Sequence, residues 1–246
     1  MLRTSFGLWR LCTWALTASS YAFAAYDDEP SPYDRLHDAI NRGDLAEVEW
    51  LAKRFPAAVN ESPDQSLSLR RNLTSTALAR AVSADDQTMV RLLLKHGASV
   101  KPEEDVAPLN LVKSTGMAQI LIEAGASVSG RGKSADSVST ANTPLHGARS
   151  VDIAKVLLAA GAELNCRNSE GQTPLSTAIQ GGPQEVVEYL FQKGGTVAPS
   201  DVEALTSACR QGELETARKL LDQGIKIGNG EEVGTDTIQS ACESGN

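Results

Sequence analysis

Cysteine and histidine are scarce in this chain, with four of the first and three of the second among 246 residues. Cations are outnumbered as well, 23 Lys and Arg against 31 Asp and Glu. Each shortage excludes a class of function. A net charge of −8 gives no unaided attraction to phosphate backbones or anionic membrane surfaces, so nucleic acid is not an expected partner, and a partner of net positive charge is favoured. No zinc-ligand spacing and no paired-carboxylate motif stands in the sequence, so no metal, cofactor or catalytic residue is expected. "SGRGKS" (Ser129–Ser134) lacks the first glycine of the phosphate-loop spacing and follows no strand, so it reads as a flexible loop.

The beginning of the chain differs from the rest. Arg3 and Arg10 come with no acid, then an apolar run over Leu11–Ala18, then the small-residue pattern Ala22-Phe23-Ala24. That order predicts a secretory signal over residues 1–24, since the positive start stays inside while the apolar run enters the export channel. The run is well short of the roughly 20 residues that span a bilayer, so no membrane insertion is expected after cleavage. The expected location is periplasmic or secreted. Cleavage removes Cys12 and leaves Cys166, Cys209 and Cys242, an odd count that cannot form a closed disulfide framework. Residues 25–32 then read as a linker.

What the sequence does contain is a recurring pattern. A marker leucine or isoleucine stands at Leu36, Leu78, Leu109, Leu145, Leu175, Leu205 and Ile238, at intervals of 42, 31, 36, 30, 30 and 33 residues. After each of the first six, a small or branched apolar residue follows three positions on: Ala39, Ala81, Val112, Ala148, Ala178 and Ala208. A second apolar stretch then shows helical three-and-four spacing, as in Met89, Leu92 and Leu93, or Val187, Leu190 and Phe191. From the second copy on it ends at glycine, at Gly97, Gly125, Gly161, Gly194 and Gly224. Each copy therefore predicts helix, turn, helix, stop. Two such helices cannot close a core, and like units must stack to cover each other's apolar faces. The fold class expected is all-α, a solenoid of six units over residues 33–246 with a seventh begun. From marker leucine to glycine the distance is 19 residues in the second, fifth and sixth units and 16 in the third and fourth, which predicts a shorter turn or a shorter helix there.

"TPLHGA" (Thr143–Ala148) and "EGQTPLSTA" (Glu170–Ala178), each followed by an apolar helix and a glycine turn, resemble ankyrin repeats, whose period is about 33 and whose signature is T-P-L-H-x-A. The other copies keep "RLHDA", "ALARA", "PLNLV" and "ALTSA" in its place. The resemblance implies a non-catalytic module that binds another protein. It also implies that His37 and His146 hydrogen-bond the backbone of neighbouring turns, and that loops between units project as fingers, of which only "NCRNSEGQ" (Asn165–Gln172) looks complete. Partners of such proteins meet the finger tips and the polar ends of first helices. Carried over, those positions are Arg167, Ser169, Glu170 and Gln172 on the finger, and Asn41, Arg42, Gln180, Arg210 and Gln211 at first-helix ends.

Smaller expectations follow. His96 reads as a helix-end residue. Cys209 and Cys242 hold matching places in adjacent units, roughly 8 to 10 Å apart and beyond the reach of a disulfide, so both read as buried apolar residues. Cys166, on the finger, is the exposed thiol and the candidate for intermolecular pairing. Asn60-Glu61-Ser62 and Asn72-Leu73-Thr74 match the glycosylation triplet. Two rival functions stay open: a stoichiometric inhibitor or immunity protein neutralising a basic toxin, and the repeat region of a longer protein whose catalytic part lies elsewhere.

Overall fold

Asp44, Asp86, Ser114 and Ser150 each turn a side-chain oxygen onto the backbone N–H three residues ahead, at 3.0, 3.0, 3.4 and 3.2 Å, and so start four of the second helices. The computed structural model describes residues 31–60, 76–101, 107–130, 132–134, 137–198 and 201–225. The leader, most of the linker, Asn72, Cys242 and the unfinished seventh unit lie outside the described residues.

First helices are α1 (Pro32–Arg42), α4 (Ala77–Ser83), α8 (Pro174–Gly181) and α10 (Val202–Arg210), with single 3-10 turns at Pro108–Leu111 and Pro144–Gly147 in the third and fourth units. Second helices are α2 (Leu45–Arg54), α5 (Gln87–Lys95), α6 (Thr115–Glu123), α7 (Val151–Ala159), α9 (Gln184–Gln192) and α11 (Leu214–Asp222). Between α2 and the second unit lies α3 (Pro56–Asn60). The third and fourth units thus resolve their three missing residues as a shortened first helix. The deletion falls between marker leucine and second-helix cap, which leaves room for one tight turn, opened by Pro108 or Pro144 at its first positions.

Two columns of leucine run through the stack. The marker leucines of all six units are at most 1 % exposed. Seven residues after each second-helix cap stands Leu51, Leu93, Leu121, Leu157, Leu190 or Leu220, equally buried. First helices touch first helices of adjacent units and second helices touch second helices, so the two columns merge into one elongated core. Each leucine so covered contributes roughly 1.5 to 3 kcal/mol, and part of that coverage comes from a neighbouring unit. The solenoid of helix-turn-helix units is the architecture expected.

Five second helices end at a glycine with positive φ, and in four of them the following N–H returns to the carbonyl five residues back. Gly161, for example, takes φ +91°, and the N–H of Ala162 returns to the Leu157 carbonyl at 2.9 Å. A side chain on the glycine would be strained there. The first unit closes differently: the Phe55 N–H bonds the Leu51 carbonyl at 2.7 Å and α3 follows. Asn60 at its end donates Nδ2–H to the Gly97 carbonyl at 2.8 Å and accepts from the Ser99 N–H at 2.7 Å. The amide nitrogen that glycosylation would use is therefore engaged in joining the first two units.

The end of the expected flexible loop Ser129–Ser134 is instead a strand. Here β1 (Gly132–Ser134) and β2 (Ser137–Asn142) pair antiparallel, Gly132 opposite Asn142 and Lys133 opposite Ala141. β-Branched Val138 and Thr140 favour extended backbone, a preference that a search for phosphate loops passes over. Among the described residues, no helix is long and apolar enough to cross a membrane.

Candidate functional site

The finger at Asn165–Gln172 is organised by a residue that sequence reasoning missed. Asn168 is buried, and its backbone N–H bonds the Gln172 carbonyl at 2.9 Å while its own carbonyl accepts from Gly171 at 3.1 Å. Its side-chain oxygen accepts from the N–H groups of Glu170 and Gln172, at 3.0 and 2.9 Å. Its side-chain nitrogen donates to Asn142 Oδ1 at 2.9 Å and Gln172 Oε1 at 3.1 Å. An asparagine with its oxygen on N–H groups two and four residues ahead mimics a backbone turn, and the signal was its place just before Ser-Glu-Gly. One buried amide thus fixes the tip and ties it to the end of β2.

His146 secures the same finger from below. The Thr143 N–H donates to Nδ1 at 3.2 Å and the Thr143 hydroxyl lies 2.8 Å from the same nitrogen. Nδ1 is therefore the acceptor, which leaves the proton on Nε2, 3.1 Å from the Gln172 carbonyl. The histidine joins the start of its own unit to the finger that leads into the next, as the resemblance implied. Replacing it by alanine strands the buried Thr143 N–H and opens a cavity, so His146→Ala is expected to cost about 2 kcal/mol in urea unfolding. A change below a few tenths would show that the bridge adds nothing.

His37, given the same role, does not fill it. Neither ring nitrogen has a hydrogen-bond partner among the described residues, and the ring packs at 4.2 Å against Tyr33. The reason is its depth in the helix. His146 is three residues past a cap whose N–H is spare, whereas α1 begins at Pro32 and carries His37 inside it. His96 is the C-cap residue of α5, as expected.

Cys166 is a second correction. It is buried rather than exposed, with its sulfur 3.4 Å from the Thr143 hydroxyl, because the finger folds back over the start of the fourth unit. Intermolecular pairing through it is thereby disfavoured. Cys209 is buried, as its matching place in the repeat predicts.

The proposed partner-binding residues divide into two groups. Arg167, Ser169 and Glu170 are exposed on the finger, and Arg210 is exposed at the end of α10. Others bond to groups of the protein itself, although Asn41 and Gln211 are also exposed. Gln172 donates to Gln180 Oε1 at 3.2 Å, Gln211 donates to the Ile179 carbonyl of the preceding unit at 3.2 Å, and Asn41 accepts from Arg80 of the following unit at 3.1 Å. Arg42 is exposed and shares the carboxylate of Glu47 with Arg35. Gln172 and Gln180 are brought together; Asn41 and Arg42 belong to the first unit, at the other end of the stack.

The match to a known family falls on the units around this finger. Residues 145–231 match the family model for ankyrin repeats, in three copies. No curated protein matches the chain. Ankyrin repeats are generally protein–protein interaction modules and are typically non-catalytic. The matched segment begins at the fourth marker leucine and includes the finger with Arg167, Ser169, Glu170 and Gln172.

Proposed function

We propose that this chain is an exported module that binds another protein through the finger tip and the neighbouring first-helix ends. The observation that carries this reading is the Asn168 framework. Four hydrogen bonds from one buried side chain hold a tip whose Arg167, Ser169 and Glu170 all face solvent. A loop held this firmly loses little conformational freedom when a partner docks, which favours binding. The leader-like residues 1–24 support export to the periplasm or beyond, and the net charge of −8 favours a partner of net positive charge.

Reversing the two tip charges tests the proposal. A chain carrying Arg167→Glu and Glu170→Arg should lose at least tenfold in capture of its partner from periplasmic or secreted extract, with an unchanged circular dichroism spectrum. Equal capture by both chains would remove the finger from the account. An inhibitor of a basic toxin is the specific form that the acidic charge favours, and toxin survival in cells lacking the protein decides it.

A further inference from the structure

Counted from their caps, Asp44, Asp86, Ser114, Ser150, Pro183 and Glu213, the second helices show which positions face which neighbour. The junction of the fifth and sixth units displays the rule. Phe191, eight residues past its cap, lies 5.4 Å beneath the ammonium of Lys219, six past its own. Gln192, at position nine, shares a shallow recess with Asp222 and Gln223, at positions nine and ten of the following unit. Positions eight and nine of one unit therefore meet positions six, nine and ten of the next.

Position eight is Ala52, Leu94, Ile122, Leu158 and Phe191 in the first five units, buried or half-buried in every case. In the sixth it is Leu221, which is 41 % exposed. Position six is Leu92, Ile120, Val156 and Tyr189 in the second to fifth units, again buried or half-buried. In the first unit it is Trp50, which is 53 % exposed. Among the described residues, no position-six side chain lies on Leu221 and no position-eight side chain lies on Trp50.

We propose that a second copy of this chain supplies both, so that copies associate head to tail with Trp50 of one on Leu221 of the other. The charges agree with this register. Position nine of the sixth unit is Asp222, whereas positions nine and ten of the first are Lys53 and Arg54, so the junction sets a carboxylate against two cations. Lys53 already holds Glu49 on its own helix at 2.8 Å, an exposed pair that is readily exchanged. Leu214, seven residues before Leu221 and on the same side of α11, is 49 % exposed and extends the apolar strip. Because the two surfaces differ, each added copy leaves one of each kind free, and the association grows as an open row or closes as a ring.

Sedimentation of the full-length chain up to about 1 mM, where small interfaces become populated, tests this. The wild-type chain should grow in mass with concentration, while Trp50→Glu and Leu221→Glu should each remain monomeric with unchanged circular dichroism. Mixing these two variants should give one-to-one dimers and nothing larger, since one keeps an intact Leu221 and the other an intact Trp50. As a second pair of variants, Arg54→Glu should weaken association of the otherwise wild-type chain and Asp222→Lys should restore it. A wild-type chain that stays monomeric, variants that associate like wild type, or a mixture that stays monomeric would each overturn the proposal.

Discussion

Lowering the pH from 7 to 4 is expected to cost the folded chain about 3 kcal/mol through His37 alone. Burial, aided by the neighbouring Arg80 guanidinium and opposed by Asp34, holds its pKa at about 4, against 6.5 for an unperturbed imidazole. Above pH 6.5 the ring is neutral in both folded and unfolded chains and stability does not depend on it. Below that point the unfolded chain takes up a proton that the folded chain refuses. Stability then falls by about 1.36 kcal/mol per pH unit until the folded ring also protonates near pH 4. The imidazole is 1 % exposed with no hydrogen-bond partner among the described residues, so no hydrogen bond offsets the charge, and Asp34 opposes the shift less than burial and Arg80 drive it. Urea unfolding of wild type and His37→Leu between pH 7 and 4 measures the effect. The leucine variant should lose about 3 kcal/mol less over that range. Parallel curves would mean that the histidine is free to protonate in the folded chain.

Truncating the middle of the leucine column is expected to cost as much. Leu157 is completely buried on α7, and α7 packs against both α6 and α9. Leu157→Ala removes three carbons from a site whose walls belong partly to the third and fifth units. Those walls are fixed by their own contacts and cannot collapse inward fully, so a cost of about 3 kcal/mol is expected in chemical unfolding. A loss under 1 kcal/mol would show a core loose enough to refill the space.

The architecture was legible in the sequence because it rests on residue types that periodicity reveals. All six marker leucines and the apolar residues three positions after them proved buried, and the five glycines at second-helix ends all take positive φ. Cys209 was placed correctly by its matching position in "ACRQG". The errors share one cause. His37, Cys166 and the stretch Ser129–Ser134 are read from one unit or one loop, and their environment comes from elsewhere: the depth of a helix start, a finger folded over the previous unit, a pairing strand. The site was legible only in part. Tip residues Arg167, Ser169 and Glu170 are carried over from the resemblance and are exposed, whereas Gln172, Gln211 and Asn41 carry no mark in the sequence of the ties they make within or between units. Asn168, which holds the tip, carries no mark beyond its preference for turns.

Hydrogen exchange of Leu157→Ala, followed helix by helix, tests most directly whether each unit depends on its neighbours. Stacking along a line predicts that protection falls most in α7, less in α6 and α9, and stays at the wild-type level in α1 and α2. An equal loss of protection in every helix from α1 to α11 would contradict the account, because it would mean a single shared core rather than units that cover one another in sequence.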